Sequence, residues 1–165
     1  MIYTNTEKDI NRRNGMGSWM KNYSLTENGK DWDYCVGLSY RRREMKTSNG
    51  RKNIGRLFNN LYELDDSVNG FVVDELDDIG IGIHHHLIVS SSLSEDIFKK
   101  TVQNSWDRKG MNWVDNYDSS RDYVGYMCKH IGKTNRNVFD VFNKTLIKNR
   151  NNQMKLLKVR NKLRK

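Results

Sequence analysis

A chain of 165 residues that is 36% apolar and has no proline can fill one packed core and carries no stiff linker, which excludes a multidomain array. No apolar run reaches the ~20 residues of a membrane span, and Met1 to Lys21 lacks the apolar middle of a signal peptide. Two cysteines, Cys35 and Cys128, sit in apolar settings without metal-binding spacing, which fits a reduced, cytoplasmic protein better than a disulfide-stapled secreted one.

The formal charge of +9 is unevenly placed. Residues 1–140 carry 20 basic and 20 acidic side chains, whereas residues 141–165 carry nine basic side chains and no acid. The chain is therefore expected to comprise a core over 1–140 and a basic, helical C-terminal tail over 141–165. Such a tail is a polyanion contact in many proteins, through release of the counterions condensed on phosphates; the bland reading is a solvated end that aids solubility. Its apolar residues, Leu156, Leu157, Val159 and Leu163, make too ragged a stripe for a membrane-surface helix, so no membrane partner is expected.

In chain order, residues 1–31 are polar and without a sustained period, which predicts an irregular or partly helical arm. "DWDYCVGLSYRRR" (31–43) alternates Tyr34, Val36, Leu38 and Tyr40 as a strand does and ends in the basic cluster Arg41, Arg42, Arg43. "KTSNGRK" reads as a turn, and "NIGRLFNNLYEL" places Ile54, Leu57, Phe58 and Leu61 at helical spacing. "GFVVDEL" and "IGIHHHLIVSS", joined across "DDIG", predict an antiparallel hairpin. "SLSEDIFKKTVQNSWDRKG" has the acidic first turn and terminal glycine of a capped helix. "MNWVDNYD" is a short aromatic strand, and "SSRDYVGYMCKHIGK" a second capped helix ending near Gly132. The order β-α-β-β-α-β-α predicts an α+β fold: an antiparallel sheet of four to five strands with packed helices, of the split βαβ kind.

Three histidines in a row need an explanation in a strand. The period of two turns His85 to one face with Ile83 and Leu87, and His84 and His86 to the other, their Cα atoms roughly 7 Å apart. Two neutral imidazoles on one face suit a divalent ion that also has a carboxylate ligand. If "DDIG" is a four-residue turn, His84 lies opposite Val73 and the odd-numbered residues of the first strand share its face, making Glu75 the acid; a loop one residue longer or shorter favours Asp74. The bland reading is two histidines on a solvated sheet face.

In the last helix, Val124, Met127, Cys128 and Ile131 form the apolar stripe. Tyr126, Lys129 and Lys133 cluster opposite, and Tyr123 and His130 flank them. A tyrosine outside the stripe and beside two lysines can serve as a nucleophile towards a phosphodiester when a metal polarises the phosphate and cations stabilise the developing charge.

The combination resembles the HUH endonuclease superfamily, close to the single-tyrosine rolling-circle replication initiators of plasmids and small viruses. "VGLSYRR" is similar to the family's first motif, "HHHLIV" to its histidine motif and "YMCK" to its Tyr-x-x-Lys helix, and the likeness spans about residues 33–134. It implies an HUH-type endonuclease domain of RRM/ferredoxin-like fold. Tyr126 would nick single-stranded DNA, at an origin hairpin or an unwound origin, and remain joined to the 5′ phosphate. His84, His86 and Glu75 would hold Mg²⁺ or Mn²⁺, Lys129 would steady the phosphate, and Arg41, Arg42, Arg43 and Lys133 would bind the strand. The chain departs from the family pattern at His85, where an apolar residue is usual, and at His130, where two-tyrosine initiators carry their second tyrosine; Tyr123 is the other residue to consider there. No P-loop occurs, so a host helicase and polymerase are implied, and a homodimer is left open. The neighbouring expectations are a transposase of the same superfamily and a non-catalytic single-strand-binding module.

Overall fold

The computed structural model describes residues 7–41, 47–76, 82–129 and 139–144. Four helices and five strands follow in the order α1 (Glu7–Asn28), β1 (Tyr34–Ser39), α2 (Thr47–Tyr62), β2 (Asn69–Leu76), β3 (Ile83–Ser90), α3 (Glu95–Trp106), β4 (Asn112–Asn116), α4 (Tyr123–Cys128) and β5 (Phe139–Asn143). The strands form one sheet in the order β4-β1-β3-β2-β5, every pairing antiparallel. This is the expected α+β class. Among the described residues no helix is long and apolar enough to cross a membrane.

Helices cover both faces of the sheet, which is why β1 is buried almost throughout. On one face, Tyr34, Val36, Leu38, Val72, Leu87 and Val89 pack against Ile54, Leu57, Phe58 and Leu61 of α2 and Phe98, Val102 and Trp106 of α3. On the other, Cys35, Phe71, Val73 and Ile88 meet Met20 of α1 and Val124, Met127 and Cys128 of α4. Val124, Met127 and Cys128 of the stripe expected of the last helix are buried as expected, and Ile131 lies outside the described residues.

Three elements differ from the sequence reading. The N-terminal arm, expected to be irregular or partly helical, forms one continuous helix over Glu7–Asn28, α1, on the second face. The residues it buries are Gly17, Met20 and Ser24, which have helical spacing but too little apolar character to register in a hydropathy pattern. The turn expected at "KTSNGRK" is the start of α2; Gly50 is buried there and Arg51 is drawn to Asp74, so tertiary contact overrides local preference. Finally, β5 crosses residue 140, pairs with β2 and stacks Phe142 on Phe58 at 4.1 Å between centroids. Lys144 then pairs with Asp66, and residues 145–165 lie outside those described.

The hairpin sets the site. Glu75 lies opposite His84 and Asp74 opposite His85, a register two residues from that expected of a four-residue turn. A shift of two preserves the faces, so Glu75 does share the face of His84 and His86. Asp74 does not; it points into the first face with His85.

That inward pair is a buried polar network. Asp74 is 3% exposed and His85 0%. His85 Nδ1 and Asp74 Oδ1 are 2.8 Å apart, Arg51 Nη2 reaches Asp74 Oδ2 at 2.9 Å, and the Tyr40 hydroxyl meets His85 Nε2 at 3.0 Å. Burial, with Asp74 nearby, pushes the Tyr40 phenol up to about 12, so it stays protonated. A charge this deep is tolerable only while paired. Asp74→Ala is therefore expected to lower unfolding free energy by about 3 kcal/mol or more, read by urea denaturation. A loss below about 1 kcal/mol would show that the network does not hold the hairpin.

Candidate active site

On the second face, β2 and β3 present a carboxylate and two imidazoles beneath the short helix α4. His86 is half-buried and His84 exposed. Glu75 joins two partners: its Oε2 lies 2.9 Å from His86 Nε2, and its Oε1 lies 3.1 Å from Lys129 Nζ. Among the described residues His86 Nδ1 is buried with no hydrogen-bond partner, and the ring is held by the contact through Nε2.

The helix is placed by its first residues. Asp122 caps it, accepting a hydrogen bond from Gly125 N–H at 3.2 Å. A Cβ at residue 125 would collide with the Asp122 carboxylate, so this cap requires glycine. Asp122 is in turn tied to Lys21 of α1 at 3.1 Å. With Val124, Met127 and Cys128 buried below, Tyr126 is left on the open side, 47% exposed.

The Tyr126 ring stands edge-on to His86, with centroids 5.2 Å apart and planes at 89°. The Lys129 ammonium lies 3.8 Å from the Tyr126 ring centroid, a cation–π distance. Partial burial works against the charge on Lys129, but Tyr126 and Glu75 more than offset it and hold its pKa above the ordinary lysine value. Imidazole, carboxylate, ammonium and phenol are thus contiguous. Such a set can bind a phosphate, neutralise it and present an oxygen nucleophile.

Tyr123 has a different part. Its hydroxyl donates to the Val36 carbonyl at 3.1 Å, and burial drives its phenol far above the usual tyrosine range. It is a wall of the site, stacked on Tyr126 at 6.2 Å.

Of the three residues expected to hold a metal, two are in contact and His84 stands on the same face, across from Glu75. Among the described residues no three His, Cys, Asp or Glu side chains gather closely enough to enclose an ion. Arg41 is exposed and its Nη2 donates to the Asp107 carbonyl at 3.1 Å, beside the end of α3, away from Tyr126. Arg42, Arg43, His130 and Lys133 lie outside the described residues. The site also has a member that was silent in the sequence: Trp113 of β4, edge-on to Tyr123 at 5.8 Å. Only strand pairing brings it there.

The model of the replication-associated protein ORF2 family matches residues 33–135, more than half of the chain. The chain belongs to that family. Nothing among curated proteins or solved structures matches it. The matched span runs from β1 through α4 and so contains Glu75, His84, His86, Tyr126 and Lys129. As a replication-associated protein of the ORF2 family, the chain has a Rep-like role in DNA replication.

Proposed function

We propose that this protein initiates replication by nicking and rejoining single-stranded DNA at an origin, with Tyr126 as nucleophile. The observation that carries the reading is the setting of Tyr126: an exposed phenol packed against His86 and Lys129, in a chain of the replication-associated ORF2 family. The phenol oxygen attacks the scissile phosphorus. An O–P bond forms, the bond from phosphorus to the 3′ oxygen breaks, the phenol proton passes to water, and the departing 3′ oxygen takes up a proton. The products are a 5′-phosphotyrosine link and a free 3′-hydroxyl, which a host polymerase extends once a host helicase has opened the duplex. Rejoining is the reverse, with a 3′-hydroxyl attacking the phosphotyrosine.

The donor set supports a divalent ion. His86 Nε2 and Glu75 Oε2 lie 2.9 Å apart and His84 shares their face, which gathers the nitrogen and oxygen donor types that a divalent ion takes. His84, His86 and Glu75 would hold it as Mg²⁺ or Mn²⁺, and when bound it supplies Lewis acidity to a phosphate oxygen. Lys129 carries a fixed positive charge to the same place and restrains the Tyr126 ring, which limits the motion needed to reach a near-attack geometry.

Three outcomes are expected with labelled single-stranded oligonucleotides carrying the origin sequence. In Mn²⁺ the full chain forms a covalent adduct stable on a denaturing gel, and chelation with EDTA abolishes it. Tyr126→Phe binds the strand but forms no adduct; an adduct of unchanged yield in that variant would remove Tyr126 from the chemistry and leave a binding module. Lys129→Met is expected to slow adduct formation by about 10²-fold while strand affinity changes by less than about fivefold. A rate within about twofold of the parent protein would mean that the ammonium plays no part.

A further inference from the structure

Beside Tyr126 lies a cleft of about 330 Å³, lined among others by Trp113, Asp115, Arg121, Tyr123 and Tyr126. That volume falls within the ~300–1,000 Å³ of small-ligand sites. One wall is aromatic and rigid. Trp113 pairs with Gly37 across β1 and β4, and a Cβ on residue 37 would collide with the indole Nε1 and Cε2. The indole therefore lies down over a strand position where glycine leaves room for it. Tyr123, anchored to the Val36 carbonyl, stands against it. Despite this fixing, Trp113 is 43% exposed, as Trp19 of α1 is, whereas Trp32 and Trp106 are 3% and 0% exposed. A large aromatic held in place on one side and wet on the other is a surface for stacking an unpaired base.

The polar lining gives the cleft a chemical preference. Asp115 is two residues from Trp113 on β4, hence on the same face. Among the described residues its carboxylate has no side-chain hydrogen bond or ion pair. A carboxylate repels phosphate and accepts from the amino group of a base, as Asp does from cytosine N4. Arg121, 3.4 Å from Asp118, is the cation of the rim.

We propose that this cleft is a nucleobase subsite: a base flanking the scissile phosphate stacks on Trp113 and donates its exocyclic amino group to Asp115, so that adenine, cytosine or guanine is held in preference to thymine. The subsite rests on Tyr126 being the nucleophile, and its test separates the two ideas. The full chain is titrated, without divalent metal, with oligonucleotides differing by cytosine or thymine at one flanking position at a time, and tryptophan fluorescence is followed. KM and kcat for adduct formation are then measured for Trp113→Ala, Trp113→Phe and Asp115→Asn.

Binding is expected to quench fluorescence in the parent chain, and Trp113→Phe should lose that quench. Trp113→Ala should raise KM roughly tenfold or more with kcat little changed, and Trp113→Phe should restore most of the loss. Asp115→Asn should abolish the preference for cytosine over thymine at a single position. If the parent chain forms its adduct while Trp113→Ala and Asp115→Asn keep its KM and base preference, the subsite is refuted and nicking stands. If the parent chain forms no adduct yet Trp113 is quenched with the same base preference, nicking is refuted and the cleft remains a base site. Absence of quench in the parent chain refutes the subsite directly.

Discussion

The pairing of β2 with β3 is the constraint on which the rest of the molecule depends. Consecutive residues of opposite purpose, Asp74 with Glu75 and His85 between His84 and His86, are sorted by that register onto opposite faces of one sheet. A slip of one residue would exchange the faces of one strand relative to the other, either burying Glu75 and exposing Asp74 or burying His86 and exposing His85. Either slipped state is disfavoured because it would part Asp74 from His85 and leave Arg51 without Asp74 or Tyr40 without His85, stranding buried polar groups. The departure from the usual apolar residue at position 85 is thus accounted for: the central histidine is a core residue that carries its own polar partners.

What the register fixes on the sheet, α4 completes from above. Its position follows from packing below and a cap at its start, and both act through short, stiff contacts rather than long side chains. Tyr126 and Lys129 consequently meet His86 and Glu75 without a loop having to close. The aromatic surface continues from Tyr126 past Tyr123 to Trp113 on the same face. The opposite face is covered by α2 and α3.

Much of this was legible in the sequence, for identifiable reasons. A period of two suffices to separate His85 from its neighbours, and a period of 3.6 suffices to exclude Tyr126 from the stripe of Val124, Met127 and Cys128. The face of Glu75 followed from parity even though the register was misjudged by two. What could not be read depends on contacts distant along the chain. Helix α1 buries Gly17 and Ser24, which hydropathy does not weigh. Strand β5 is short and gains its place from Phe58 and β2. Trp113 acquires meaning only once Gly37 is known to lie beside it, and the bridge from Glu75 to Lys129 joins residues with no local relation.

The most direct test of the central claim is where an ion and a phosphate sit together. Crystals of Tyr126→Phe with Mn²⁺ and a single-stranded oligonucleotide spanning the origin, measured at the manganese edge, give that position by anomalous scattering. One manganese peak is expected, bonded to His86 Nε2 and a Glu75 oxygen and also to an oxygen of a backbone phosphate, with the ring of residue 126 beside that phosphorus. Manganese bound elsewhere, or a phosphate against this ion with residue 126 turned away from it, would contradict the account.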